Sequence, residues 1–237
     1  MKNVLILGAT SSIAEDFLRL FSKDVHLYLV GRNAEKLQKL QQTLSGQTVT
    51  ETIVADFDDI SFDPSVLFSK YKNSIDTIVS FTGSMGTDDQ MSLENLQSVH
   101  AVNFINPGKV ALYFASAMEG NQHAQMAFIS SVAGDRGRKK NFIYGSAKGA
   151  LTIFSSGLRG IMAEKGIQVT TVILGLVDTP MTAGMNSPLI ASRPKVAKKI
   201  YRAIEQRKDV VYIPGFWRWI MLAIRCVPEK MFKKMSF

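Results

Sequence analysis

Tyr144-Gly-Ser-Ala-Lys148 sets a phenol and an ammonium four residues apart. On a helix that spacing puts both side chains on one face, about one turn from each other. A tyrosine can pass a proton to a substrate oxygen, but a phenol in water keeps its proton up to a pKa of about 10. A fixed cation beside it favours the phenolate and lowers that value. The pair therefore reads as a proton-transfer unit. The same spacing also suits an ordinary exposed helix pair, so three further features have to single it out.

Ser131 comes thirteen residues earlier and closes the run Met126-Ala-Phe-Ile-Ser-Ser131, which reads as a buried strand. A serine at the carboxyl end of a strand faces the crevice where open α/β sheets hold ligands. Its hydroxyl can donate to a substrate carbonyl; the alternative is a serine closing a turn before Gly134. At the N-terminus, the strand-like run Lys2–Leu7 leads into Gly8-Ala-Thr-Ser-Ser-Ile-Ala14, and Ile13 to Phe21 has helical spacing. Strand, glycine turn, helix is the arrangement that aims backbone N–H groups at a phosphate, here from Gly8, Thr10, Ser11, Ser12 and Ile13. One glycine falls short of the three-glycine fingerprint, and a plain β-turn-α corner stays open. The third feature is Arg32, after the strand-like run Val25–Val30 and Gly31. An acid there suits the ribose hydroxyl of NAD, an arginine the 2′-phosphate of NADP. The alternative is a solvated loop arginine.

Taken together, these residues resemble the short-chain dehydrogenase/reductase family over about residues 2 to 215. Gly8-Ala-Thr-Ser-Ser-Ile-Ala14 is similar to its glycine-rich turn, with Leu7, Ser12 and Ala14 departing from the pattern. Ser131, Tyr144 and Lys148 match three catalytic positions, and Asn103 in Val102-Asn-Phe104 matches the fourth. The resemblance implies that Lys148 holds the nicotinamide ribose and that Asn103 orients a water leading from Lys148 to solvent. It implies cofactor contacts at Asp56 and Phe57 of Val54-Ala-Asp-Phe57, and at Thr82 and Gly83 of Ser80-Phe-Thr-Gly83. Leu174-Gly-Leu-Val-Asp-Thr-Pro-Met181 resembles the stretch along the nicotinamide, which adds Gly175, Val177 and Thr179; Leu174 replaces the family's proline. More narrowly, Ser130–Arg138, Val177–Gly184 and Gly215–Leu222 resemble a bacterial subgroup whose members are similar to the reductase of a polyprenylphosphoryl 2-ketopentose.

The elements that must position these residues are legible as alternation. The chain has 237 residues, 46% of them hydrophobic, enough for one full core. Strand-like runs at Thr48–Val54, Ile75–Phe81 and Gln168–Leu174 continue the series and are separated by helix-length segments, the longest at Asn103–Glu119 and Tyr144–Glu164. That predicts an α/β fold: a single doubly wound Rossmann domain, residues 1–214, with a parallel sheet flanked by helices on both faces. Cys226 is the one cysteine, so no internal disulfide forms and a reducing compartment is expected. His26, His100 and His123 are scattered without a metal-ligand pattern, and no metal is expected. The chain enters a strand at once, without the pattern of a signal peptide.

Of the net charge of +8, residues 193–237 supply a surplus, with 12 basic and 3 acidic side chains. A basic patch suits anionic lipid, nucleic acid or an acidic partner; no nucleic-acid motif is present, and that partner is not expected. Residues 215–237 read as a basic amphipathic tail. Phe216–Val227 is too short to span a bilayer, and Arg218 and Arg225 share one helical face. Tryptophan, aliphatic residues and flanking cations predict an in-plane interfacial helix. The competing expectation is a helix packed in a subunit interface or over the site. The function expected is NADPH-dependent reduction of a ketone. Its substrate is a lipid-phosphate-linked ketosugar or, alternatively, a soluble 3-oxoacyl thioester or small ketone. A non-catalytic NADP(H)-sensing protein is the reading from another class. The expected setting is cytoplasmic, at the inner membrane face if the tail binds lipid, with the chain as a homo-oligomer.

Overall fold

The computed structural model describes residues 1–44, 49–89 and 91–235. Thr48, Ser236 and Phe237, which the strand and tail expectations include, lie outside them. Seven strands form one parallel sheet: β1 (Asn3–Leu7), β2 (His26–Gly31), β3 (Val49–Val54), β4 (Thr77–Ser80), β5 (Gln125–Ser131), β6 (Gln168–Leu174) and β7 (Val210–Ile213). Their order is β3-β2-β1-β4-β5-β6-β7, with every pairing parallel. The order reverses between β1 and β4, and such a switch point opens a ligand crevice at the carboxyl ends of the strands.

The strands are apolar on both faces because both faces are covered. Val4 and Ile6 of β1 join α1 (Ser12–Leu18), α2 (Ala34–Leu44) and α7 (Arg193–Glu205) in one core layer. Leu5 and Leu7 join α3 (Pro64–Phe68), α5 (Asn106–Ala115) and α6 (Phe142–Ala163) in the other. In α2, Leu37, Leu40 and Leu44 recur at helical spacing and are buried, and the Asn33 side chain caps the start by accepting from the Lys36 N–H at 2.8 Å.

Two expected elements take a different shape. The helix expected from Asn103 to Glu119 begins earlier, as α4 (Leu93–His100), widens into a π-turn at Ala101–Ile105, and resumes as α5. The helical periodicity runs through all three, so the extra residue in the π-turn leaves no mark on the apolar pattern. The tail forms α8 (Trp217–Cys226) and the one-turn α9 (Glu229–Phe232), and its inner side is part of the molecule's core. Trp217 and Met221 are buried against Val132 and Ile173.

Candidate active site

β5 ends in two serines whose side chains alternate across the sheet, as strand geometry requires. Ser130 is buried; its Oγ donates to the Lys148 carbonyl at 3.0 Å and bonds Thr152 Oγ1 at 2.7 Å. This fastens the strand to α6. Ser131 takes the other side and lines the cleft. The loop that follows lies backbone to backbone on α6, with Gly134 against Gly149. The serine and the helix carrying Tyr144 and Lys148 are thereby held in fixed register.

Ser131 beside the Tyr144 hydroxyl favours the phenolate, but burial outweighs it and pushes the phenol up to about 12. Lys148 is buried, and burial brings its ammonium down to about 7. Its Nζ donates to the carbonyls of Thr82 at 3.0 Å and Ile129 at 2.9 Å, at the ends of β4 and β5, and sits 5.9 Å from the Tyr144 ring centroid. The lowering of the tyrosine by the lysine expected from the sequence is not the dominant effect in this geometry. Desolvation sets both groups, and it leaves the tyrosine a proton donor at neutral pH.

Asn103 sits in the π-turn and is fully buried. Its Nδ2 donates to the carbonyls of Ser84 at 2.8 Å and Val99 at 2.7 Å, and its Oδ1 accepts from the Ser84 N–H at 3.3 Å. The side chain thus fixes the segment after β4, next to Lys148. It lies behind the cleft wall rather than on it.

All the other expected residues meet in one cleft of about 740 Å³, within the usual range for small-molecule sites. Gly8, Thr10, Ser11, Ser12 and Ile13 line it at the β1–α1 turn, Arg32 after β2, and Asp56 and Phe57 after β3. Thr82 and Gly83 line it after β4, and Gly175, Val177 and Thr179 after β6. Gly8 has φ +73°, and a Cβ there would stand 3.0 Å from the Phe81 carbonyl carbon and the Thr82 nitrogen. Only glycine lets β1 turn so close to β4. Gly175 is glycine for another reason: a Cβ would run into the indole of Trp217. The tail therefore braces the loop after β6 from behind.

The cleft fits a dinucleotide by its donor set. It offers backbone N–H groups at the start of α1, cations at Arg32 and Lys36, and the buried Tyr144–Lys148 pair at the far side. Lys36 escapes the sequence argument although it stands one helical turn after Arg32. Arg138 also lines the cleft, and its only signal was membership of a longer motif. Asp56 accepts from the Asp58 N–H at 3.0 Å and so shapes its own turn.

A doubly wound sheet with a Ser–Tyr–Lys cluster at its carboxyl edge defines a nucleotide-dependent oxidoreductase class. The chain belongs to the short-chain dehydrogenase family, whose model matches residues 2–189. It is 31% identical to an uncharacterized oxidoreductase of Mycobacterium tuberculosis over 98% of this chain and 96% of the relative. It is 27% identical to one of Streptomyces coelicolor over 99% of this chain and 96% of that relative. In fold it matches a Sphingobium yanoikuyae short-chain dehydrogenase solved with NADPH, at TM-score 0.80 and 21% identity, covering 97% of each chain. A bulky-bulky ketone specific alcohol dehydrogenase from Comamonas testosteroni matches at TM-score 0.79 and 18% identity, over 100% of this chain and 95% of that one. The protein is an oxidoreductase that uses a nicotinamide dinucleotide.

Proposed function

We propose that the protein is an NADPH-dependent reductase that converts a ketone to a secondary alcohol. The observation that carries this reading is the Tyr144 hydroxyl, set beside Ser131 at the cleft and kept protonated by burial. A nicotinamide held in the cleft would supply hydride to the carbonyl carbon. Ser131 and Tyr144 donate hydrogen bonds to the oxygen as it gains negative charge, and Tyr144 gives up its proton as general acid. Lys148 then stabilises the phenolate and relays the replacement proton. Asn103 positions the Ser84 segment beside Lys148. Arg32 and Lys36 favour the 2′-phosphate of NADPH.

For the substrate, a lipid-phosphate-linked ketosugar is favoured over a soluble 3-oxoacyl thioester or small ketone. The supporting observation is the outer face of α8, where Phe216, Trp219 and Leu222 are exposed beside Arg218 and Arg225. That face suits peripheral contact with an anionic membrane, at its cytoplasmic side, while the inner face holds the catalytic loop. NADPH oxidation with a panel of ketones and a lipid extract tests the activity. Tyr144→Phe should lower kcat by about a hundredfold or more, with NADPH binding retained. Near-normal turnover in that variant removes Tyr144 from the mechanism. NADPH binding without any turnover would favour a sensing protein.

A further inference from the structure

The cleft carries cations at two separate places. Arg32 follows β2, and Arg138 lies in the loop that follows β5. Those strands stand three positions apart in the sheet, roughly 14 Å at the usual strand spacing. The two cations therefore arise from different parts of the cleft rim. Arg138 is on the side of Ser131, Asn141 and Tyr144, where the reacting carbonyl binds.

The setting of Arg138 is unusual for a charge. The side chain is half-buried, and burial disfavours its cation, with Asp135 acting in the opposite direction. Its Nη2 donates to the Val132 carbonyl at 3.3 Å and lies 3.7 Å from Met221 Sδ. Nε and Nη1 have no partner among the described residues, and Arg138 forms no ion pair there. Asp135 accepts from the Tyr212 hydroxyl at 3.0 Å, and burial pushes its carboxyl up, with Tyr212 and the nearby arginines acting the other way. Arg136, two residues earlier, is fully engaged: Nη1 donates to the carbonyls of Ile224 and Val227, and Nη2 pairs with Glu229 at 3.0 Å. That pairing occupies an acid that could otherwise have answered Arg138. On its other side Arg138 lines a cavity of about 140 Å³ with Lys139, Lys233 and Glu229, whose carboxylate is paired with Arg136. A guanidinium drawn partly out of water with no carboxylate at ion-pair distance is costly unless an anion completes it.

We propose that Arg138 selects the substrate: its guanidinium binds a phosphate or carboxylate carried by the ketone. The proposal rests on the reductase reading of the cleft and names the chemical class of what enters. The Nε–H and Nη1–H groups are each left to donate to such an anion, while Nη2 keeps its bonds to Val132 and Met221. In this arrangement the acceptor group of the substrate lies toward Ser131 and Tyr144, and its charged group toward the tail.

The test uses the full chain at saturating NADP⁺, so that the phosphate-binding end at Arg32 is filled. Calorimetric titration with phenyl phosphate, with phenol as the neutral control, reads the anion alone. Phenyl phosphate should bind at least about tenfold more tightly than phenol, the effect expected of one charge-assisted pair. Arg138→Gln should remove the difference, and Arg138→Lys should keep part of it. Equal phenyl phosphate affinity in wild type and Arg138→Gln overturns the proposal. Octyl phosphate distinguishes the source: a gain over phenyl phosphate marks a lipid-borne anion, equal affinity a soluble one, and Arg138 dependence of both supports the assignment. In turnover, the kcat/KM ratio of dihydroxyacetone phosphate to dihydroxyacetone should fall roughly tenfold to a hundredfold in Arg138→Gln. Ketone reduction without any anionic preference sinks this proposal and leaves the reductase standing. Arg138-dependent phosphate binding without reduction of any ketone does the reverse.

Discussion

Lys148 is a buried amine whose two nearest acceptors are neutral carbonyls, and its titration is a handle on both stability and function. Its value falls from 10.5 to about 7 on folding. Between those limits the unfolded chain binds the extra proton, so stability rises with pH across that window and falls as pH drops toward 7. Tyr144 acts oppositely, but only between its usual value of 10.0 and about 12, where the unfolded chain has already lost the proton. Melting temperatures of wild type and Lys148→Met, taken from pH 6.5 to 9.5, should therefore converge or cross in favour of wild type as pH rises. Parallel curves would show that the amine is not desolvated. At the other end of the cleft, Arg32→Ala should weaken NADPH by about 1.5–3 kcal/mol and NADH much less; equal losses remove Arg32 from the phosphate site. The four positions proposed as catalytic were picked out by their spacing, which is a property of the chain. The balance of Tyr144 and Lys148 was not, because desolvation depends on what β4 and β5 place around them. Arg138 was legible only as a letter in a motif; its lack of a partner is a fact of three dimensions.

At the scale of elements, the tail helix and the catalytic loop stabilise each other. Trp217 is 6% exposed, stands behind Gly175, and has no hydrogen-bond partner for its indole N–H among the described residues. Its contribution is therefore packing. Arg136 closes the other end of α8, donating to carbonyls of its last turn and stacking 3.7 Å over the Phe232 ring. Trp217→Ala should cost about 3–5 kcal/mol, the usual range for emptying a large aromatic site. Differential scanning calorimetry reads that loss, and limited proteolysis should show new cuts near residues 214–216. An unchanged melting temperature would mean the helix contributes nothing to the fold. The sequence shows why this was hard to read. Buried strands announce themselves as short apolar runs, and β1, β5 and β6 lie where such runs predict them. β7, Val210–Ile213, is four residues at the sheet edge after a charged stretch, and its run is too short to stand out. In α8 the apolar residues go most of the way round, and periodicity alone does not say which side meets the core.

At the scale of the whole molecule, the basic surplus of the sequence and an exposed apolar face meet at the tail. The inner side of α8 is Trp217, Met221 and Ile224, while Phe216, Trp219 and Leu222 project outward. Arg218 and Arg225 lie between the two apolar sides, and Lys230, Lys233 and Lys234 follow. No helix among the described residues is long and apolar enough to cross a membrane. An exposed tryptophan between aliphatic residues and cations suits the boundary of an anionic bilayer, where apolar burial and charge attraction add. The full-length protein should sediment with anionic liposomes at low salt. High salt should weaken the binding without abolishing it, because buried apolar area is not screened by ions. The sequence alone suggested deleting residues 216–237 as the control. The buried Trp217 and Met221 make that deletion a folding lesion, so the better control alters the outer face only. A triple variant, Phe216→Ser, Trp219→Ser and Leu222→Ser, should melt close to wild type and stay in the supernatant. Wild-type protein left in the supernatant at low salt would count against membrane contact. A concentration-dependent dimer that the triple variant disrupts would assign the outer face to a second copy of the chain instead.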